Sequence, residues 1–137
     1  MSTIRTAPGL PAARDGGLSI SEAAAVTGLT VHTLRYYEQA GLMLDAVERA
    51  SSSHRRYRPA DVGWVDFLTK LRSTGMPIAR IREYAELVRI GPDSEPERLA
   101  LLRAHRADVE EQLARTRTSL AAIDIKIAAY HERNTTP

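Results

Sequence analysis

Two helix-start signals separated by a glycine constrain the beginning of this chain more than any other feature. Ser19 is followed three residues later by Glu22, the spacing of a capping box that satisfies free backbone donors at a helix start. Gly28 can adopt the positive φ angle that ends a helix, and Thr30 is suited to cap the next one. The segment 19–42 therefore predicts two short helices joined by a tight turn, which is a helix-turn-helix.

The second of these helices, expected over about residues 31–40, has two different faces at the usual helical angle of about 100° per residue. One side carries Val31, Leu34 and Glu38, and the other carries His32, Thr33, Tyr36 and Gln39. Arg35 and Tyr37 fall at the borders, with Tyr37 expected to pack on the core edge and Tyr36 to point outward. Polar and cationic side chains on an outward face suit phosphates and base edges, so DNA is the leading candidate partner.

A small hairpin is predicted next, with arms over about 44–49 and 54–57 and a turn at Ser51–Ser53. Its second arm concentrates cationic donors and one aromatic ring: His54, Arg55, Arg56, Tyr57 and Arg58. A wing that reaches phosphates or a minor groove needs this composition. Taken alone, the arm would equally fit a solvated polar hairpin, and the preceding helix-turn-helix favours the wing.

A helical hairpin follows the predicted wing. Pro59 suits a first helical position, and an apolar stripe of Trp64, Phe67, Leu68 and Leu71 is expected in the core. Gly75 is expected to end this helix, and Pro77 to open another whose apolar face is Ile78, Ile81, Ala85 and Val88. The segment 91–96 breaks the periodicity and is interpreted as a linker.

The segment 97–132 contains neither proline nor glycine and would form a helix of about 54 Å. Alternating steps of three and four give a seam in which eight of ten positions are apolar: Leu99, Leu102, Val109, Leu113, Leu120, Ile123, Ile127 and Tyr130. This narrow stripe is typical of a coiled coil and predicts a homodimer. The alternative is a helix that folds back onto its own domain.

Composition excludes several other classes of function. The chain of 137 residues has no cysteine, which excludes disulfides, cysteine-based zinc sites and thiol redox sensing. The scattered histidines suggest no metal site, and no cofactor is expected. No apolar run approaches the about 20 residues that cross a bilayer, and segment 1–17 is interpreted as a flexible arm, so a cytoplasmic protein with no membrane contact is expected. Residues 133–137 form a tail.

Charge is unevenly distributed, although the net charge is only +2. Between Arg35 and Arg89 the sequence contains ten Arg or Lys residues and seven Asp or Glu residues, whereas the segment 97–132 contains six of each. The basic excess therefore lies in the half that carries the helix-turn-helix, as a DNA-binding surface requires.

Several motifs in series now resemble the MerR family of bacterial transcription regulators over about residues 18–130. They are Thr33-Leu34-Arg35-Tyr36-Tyr37-Glu38 with Gly41-Leu42, Arg55-Arg56-Tyr57 with Asp61-Val62, and Gly75-Met76-Pro77-Ile78 before a helix. The resemblance implies a mainly α fold, in which a winged helix-turn-helix domain with a helical hairpin (18–90) precedes a long dimerisation helix that forms an antiparallel coiled coil. By position it implies a DNA-binding set of His32, Thr33, Arg35, Tyr36, Arg55, Arg56 and Arg72.

The resemblance also implies a mode of action. Family members bind double-stranded promoter DNA whose spacer is too long, and they bend and untwist it so that RNA polymerase reads both promoter elements. RNA polymerase is thus an indirect partner. The resemblance further implies a switch by a small change in the angle between the two DNA-binding units, which a small effector would bias. The segment 124–132 resembles the subgroup of regulators that respond to aldehyde and nitrosative stress, but Lys70 stands where that subgroup has a cysteine. A second departure is Arg58, where the family usually has a capping Ser or Thr.

Two other classes of function compete with DNA binding. A protein-interaction module would use the coiled coil to dock another helix, with the first domain as a scaffold. An enzyme is not expected, because no glycine elbow, metal motif or phosphate loop organises the Ser, His and Asp residues.

Overall fold

The computed structural model describes residues 17–44, 48–49 and 55–135. The predicted arm before Gly17, the hairpin turn at Ser51–Ser53 and the last two residues lie outside this range. The elements are α1 (Ile20–Thr27), α2 (Val31–Gln39), β1 (Glu48–Arg49), β2 (Arg55–Arg56), α3 (Pro59–Ser73), α4 (Ile78–Ile90), a one-turn 3-10 helix (Pro92–Ser94) and α5 (Glu95–Thr135). The chain divides into two compact units after Arg98. The expected mainly α fold is confirmed.

The helix-turn-helix forms through the predicted caps. Ser19 Oγ accepts from the Glu22 amide at 3.1 Å, and the Ser19 amide donates to Glu22 Oε1 at 2.9 Å. Gly28 adopts φ +74°, and its amide donates to Ala24 O at 3.0 Å. Thr30 Oγ1 accepts from the Thr33 amide at 3.0 Å. Local hydrogen bonds alone therefore define both ends of the turn.

The core of the first unit lies where α1 packs against α2 and α3, and where α3 packs against α4. Its completely buried large side chains are Leu34, Leu42, Tyr57, Val65, Leu68, Met76 and Ile81. Burying an apolar side chain of this size contributes about 1.5–3 kcal/mol. Helices α2, α3 and α4 thus each contribute side chains to the core, and so does Tyr57, the residue that follows β2.

The buried face of α3 differs from the predicted stripe. Leu68 and Leu71 are buried as expected, but Val62 and Val65 complete the face, while Trp64 and Phe67 are half-buried beside it. The Trp64 ring stacks on Tyr84 of α4 at 5.7 Å, and its Nε1 donates to Leu42 O at 2.8 Å. An indole needs a partner for its N–H, so the flank of the core suits it better than the centre.

The hairpin is antiparallel, and in the part that is described Glu48 lies opposite Arg56 and Arg49 opposite Arg55. Beyond β2, the backbone of Tyr57 exchanges two hydrogen bonds of 2.7 Å with that of Leu18. Gly17 has φ +83°, and a Cβ built on it would lie 2.5 Å from Tyr57 O. The residues just before α1 are therefore tied to the base of the hairpin, and glycine permits this close approach.

The starts of α3 and α5 show how the chain compensates for unusual residues. Arg58 occupies the N-cap of α3, and its amide donates to Asp61 Oδ2 at 2.9 Å, so Asp61 supplies half of a capping box. The segment predicted as a linker forms the 3-10 turn and leads directly into α5, which begins at Glu95. Pro96 fits there because the first turn of a helix needs no amide donor at that position.

Helix α5 contains 41 residues and would extend about 62 Å. All of its residues are described, and none of them is buried. Surface ion pairs one turn apart join Arg106 to Glu110 at 2.7 Å and Arg115 to Glu111 at 2.9 Å. Across the described ranges, no helix combines the length and apolar character needed to cross a membrane.

Replacing Gly17 by alanine tests the contact between the entry to α1 and the hairpin. Gly28→Ala is the matched control, because Gly28 also has a positive φ angle but open space around its Cβ position. We expect the control to cost about 1–2 kcal/mol, the left-handed penalty alone, and Gly17→Ala to cost more because of the overlap with Tyr57 O. Urea unfolding followed by circular dichroism measures both, and equal losses would contradict the proposed overlap.

Candidate nucleic-acid interface

Helix α2 presents an exposed polar face on a firmly packed base. Leu34 and Tyr37 are buried, whereas His32, Arg35, Tyr36 and Gln39 are exposed and Thr33 is half-buried. The predicted separation of the two tyrosines is therefore confirmed, and Arg35, which the sequence placed at a border, lies on the exposed side. The exposed face combines a guanidinium, an imidazole and a phenol, all of which can bind phosphates or base edges.

The first turn of α2 adds a second kind of donor. Thr30 Oγ1 donates to Thr33 Oγ1 at 3.0 Å while it accepts from the Thr33 amide. The Thr33 hydroxyl is thereby oriented at the positive end of the helix dipole. A hydroxyl at a helix N-terminus suits the phosphate oxygens of a DNA backbone.

Tyr57 connects the hairpin to α2. Its ring is almost completely buried, with 1% exposure, and its hydroxyl donates to Glu38 Oε2. Because Tyr57 directly follows Arg55 and Arg56, this bond holds the basic arm of the hairpin beside the helix. Sequence reasoning missed this link, although Glu38 on the apolar side of α2 was the available signal: a carboxylate there needs a buried partner.

The remaining predicted DNA contacts lie on two elements. Arg55 and Arg56 form β2, and Arg56 is half-buried. Arg72 is exposed near the end of α3, where its Nη1 donates to Met76 O at 3.2 Å within the turn before α4. The structure thus brings β2 close to α2 through Tyr57 and places Arg72 separately, near the end of α3.

The predicted dimerisation residues lie along α5. Leu99, Leu113, Leu120, Ile123, Ile127 and Tyr130 are exposed, and Leu102 and Val109 are half-buried. Lys126 and Arg133 lie over the Tyr130 ring, with Lys126 Nζ at 5.9 Å and Arg133 Cζ at 4.9 Å from its centroid. Six of these eight apolar side chains are therefore exposed along α5, as expected for a seam that a partner helix would cover.

The described residues contain no group of three or more His, Cys, Asp or Glu side chains that could bind a metal ion. The pKa of Tyr84 is raised by burial, and the nearby Arg98 charge partly offsets this increase. Tyr84 belongs to the aromatic cluster with Trp64 and Phe67 and not to the face of α2. The chemistry of the candidate interface is therefore that of arginine, hydroxyl and aromatic contacts.

Comparison with known proteins agrees with this arrangement. The family model described as MerR HTH family regulatory protein matches residues 18–87, about half of the chain, and a second model, MerR, DNA binding, matches residues 62–125. An uncharacterized HTH-type transcriptional regulator of Haemophilus influenzae is 34% identical over 112 residues, which cover 82% of each chain.

Two further relatives extend the comparison. The HTH-type transcriptional regulator AdhR of Bacillus subtilis is 39% identical over 70 residues, but these span only 51% of this chain and 49% of AdhR. The crystal structure of HiNmlR, described as a MerR family regulator lacking the sensor domain and bound to promoter DNA, is similar with a TM-score of 0.77. It is 33% identical and covers 85% of this chain and 91% of that chain.

The chain belongs to the MerR HTH family of regulatory proteins. It is accordingly a DNA-binding transcription regulator and not an enzyme, which confirms both predictions from the sequence.

Replacing Tyr57 by phenylalanine tests the bond between the hairpin and α2. We expect Tyr57→Phe to lower the free energy of unfolding by about 1–3 kcal/mol, because Glu38 loses a buried hydrogen-bond donor. Tyr36→Phe removes the same hydroxyl from an exposed ring and is expected to change stability by less than about 0.5 kcal/mol. Urea denaturation of both variants measures the difference, and equal stabilities would disprove the role of the Tyr57 hydroxyl.

Proposed function

We propose that this protein acts as a homodimeric, sequence-specific regulator of promoter DNA, with α2 in the major groove and the hairpin on the adjacent backbone. The observation that carries this proposal is the exposed face of α2, with Arg35 and Tyr36, next to a basic hairpin that Tyr57 ties to Glu38. A helix and a wing held in one fixed geometry can contact a groove and its flanking phosphates together.

Each side chain has a proposed role in this arrangement. Thr33 and Arg35 contact the groove or its backbone, Tyr36 contacts a phosphate, and His32 contributes to the choice of sequence. Arg55 and Arg56 hold the flanking backbone from the wing, and Arg72 holds a phosphate from the end of α3. Arginine suits these positions because its planar guanidinium donates in pairs to phosphate or guanine.

The similarity to HiNmlR supports the DNA part of this proposal. That regulator is bound to promoter DNA in its crystal structure, and it shares 33% identity over 85% of this chain. The matched region is large enough to include both the helix-turn-helix and the long helix, so a similar docking mode is expected here.

The apolar seam of α5 supports the homodimer. The seam side chains from Leu99 to Tyr130 are exposed or half-buried, and a second copy of the same helix would cover them. An antiparallel pair would provide two DNA-binding units related by two-fold symmetry. Such symmetry matches a near-palindromic operator.

We further propose that the dimer bends and untwists an overlong promoter spacer, so that RNA polymerase reads both promoter elements. A bend over a site of this size costs about 1–6 kcal/mol, which additional protein contacts must offset. A small effector of unidentified chemistry would shift the equilibrium between the dimer that distorts the spacer and the dimer that does not. Because the chain has no cysteine and Lys70 is exposed on α3, the trigger cannot be a thiol of this protein.

Replacing Arg35 by alanine tests the role of α2 in DNA binding. We expect a loss of about 1–3 kcal/mol in specific binding because a groove contact is removed. Arg115→Ala is the control, since it removes the same charge from the exposed surface of α5. Fluorescence anisotropy on the upstream region of its own gene, repeated over a salt series, measures both variants. Equal affinities for Arg35→Ala and the unaltered protein would contradict the placement of α2.

Replacing Ile123 by glutamate tests the dimer seam. Ile125 provides a matched control, because it is an exposed isoleucine on the same helix, about 200° away around the axis. We expect Ile123→Glu to shift the protein to a monomer and Ile125→Glu to leave the dimer intact, since a buried unpaired carboxylate is costly. Analytical ultracentrifugation distinguishes the two species, and an unaffected dimer in Ile123→Glu would argue against this seam.

A further inference from the structure

The backbone that leaves α2 is held by side chains from α4. Arg82 Nε donates to Ala40 O at 2.9 Å. Arg89 donates through Nη2 to Gly41 O at 2.8 Å and to Met43 O, and through Nε to Leu44 O at 3.0 Å. We refer to residues 40–44 as the α2 exit. Four of its five carbonyls therefore accept hydrogen bonds from two arginines on another helix.

The two arginines lie on the same face of α4. They are seven residues apart, which places them on the same face about 10 Å from each other along the axis. The α2 exit is the first part of the connection between α2 and the hairpin. By holding it, α4 fixes both the end of the helix that faces DNA and the point where the chain departs toward the wing.

The chemistry of this contact requires arginine. A helix end leaves backbone carbonyls without intrahelical partners, and a cation there is favourable for the helix dipole. The guanidinium of Arg89 has several donors in one plane, so it serves three carbonyls at once. The ammonium of a lysine is a compact point charge and cannot reproduce that planar arrangement.

The end of α4 is itself anchored. Ser94 Oγ donates to Leu87 O and, at 2.8 Å, to Gly91 O, which also accepts from Arg98 Nη2 at 3.1 Å. Arg89 lies between these bonded positions in the sequence. Arg89 therefore extends to the α2 exit from the end of α4, and Ser94 and Arg98 hold this end through Leu87 and Gly91.

We propose that Arg89, assisted by Arg82, is a positioning residue that sets the angle at which α2 is presented to DNA. This proposal rests on the DNA-binding function proposed above. Arg89 itself need not touch DNA, because its guanidinium is engaged with the α2 exit.

The test compares Arg89→Gln and Arg89→Lys with the unaltered protein. Arg80→Gln is the matched control, because it removes the same charge from an exposed position of α4 whose side chain, among the described hydrogen bonds, donates only to Glu83. One measurement is amide hydrogen exchange at Gly41 and Leu42, whose amides donate to Glu38 O and Tyr37 O. The other is affinity for a duplex from the upstream region of the gene.

We expect Arg89→Gln to accelerate exchange at Gly41 and Leu42 and to weaken DNA binding, each by about tenfold, because three hydrogen bonds to backbone carbonyls are lost and most of them are solvent-exposed. Arg89→Lys should fall between Arg89→Gln and the unaltered protein, and Arg80→Gln should match the latter. Exchange at the buried Leu68 and Leu71 of α3 should not change, which separates positioning from general destabilisation.

Several results would overturn the proposal. Equal acceleration at Leu68 and Leu71 would show a general structural role, and unchanged exchange at the α2 exit would show that Arg89 does not hold it. If the unaltered protein binds no DNA, the proposed function itself fails. If the unaltered protein binds and Arg89→Gln binds equally well, only the positioning role is wrong.

Discussion

The backbone and side chain of Tyr57 join three parts of the first unit, and the geometry of the proposed DNA-binding surface depends on them. Its amide and carbonyl pair with Leu18, which fixes the chain before α1. Its buried hydroxyl donates to Glu38 of α2, and its backbone continues from β2 into the cap of α3. A buried hydrogen bond to a carboxylate is costly to break, so the helix and the hairpin keep one relative orientation.

Helix α2 is stabilised at both ends and along its buried side, which leaves its opposite face exposed and available to bind a ligand. Thr30 caps its start, Leu34 and Tyr37 anchor its buried side, and arginines of α4 hold the carbonyls at its exit. None of these contacts uses the exposed side chain of Arg35, whereas the Tyr36 ring lies beside that of Tyr37, with 6.2 Å between their centroids. Arg35 is therefore separate from the residues that position α2, so it can vary without loss of the fold, whereas Thr33 also takes part in the cap with Thr30.

Local features of the fold were predictable, whereas features that depend on distant segments were not. The caps at Ser19 and Thr30 and the turn at Gly28 involve residues within four positions of each other, so the sequence contains all the required chemistry. The buried face of α3 differs from the predicted apolar stripe because Trp64 stacks on Tyr84 of α4 and donates to the carbonyl of Leu42. Gly17 gave no recognisable signal, since its close neighbour Tyr57 is forty residues away.

The helix-turn-helix, the long helix with its apolar seam and the membership of the MerR family could all be predicted from the sequence, because each depends on short-range periodicity, capping or ordered motifs. The contacts that hold these parts together could be found only in the folded protein. The bonds of Tyr57 to Glu38 and of Arg89 to the α2 exit join residues 19 to 48 positions apart. Directional contacts between such distant residues depend on how the helices pack, and no periodicity in the chain encodes that packing.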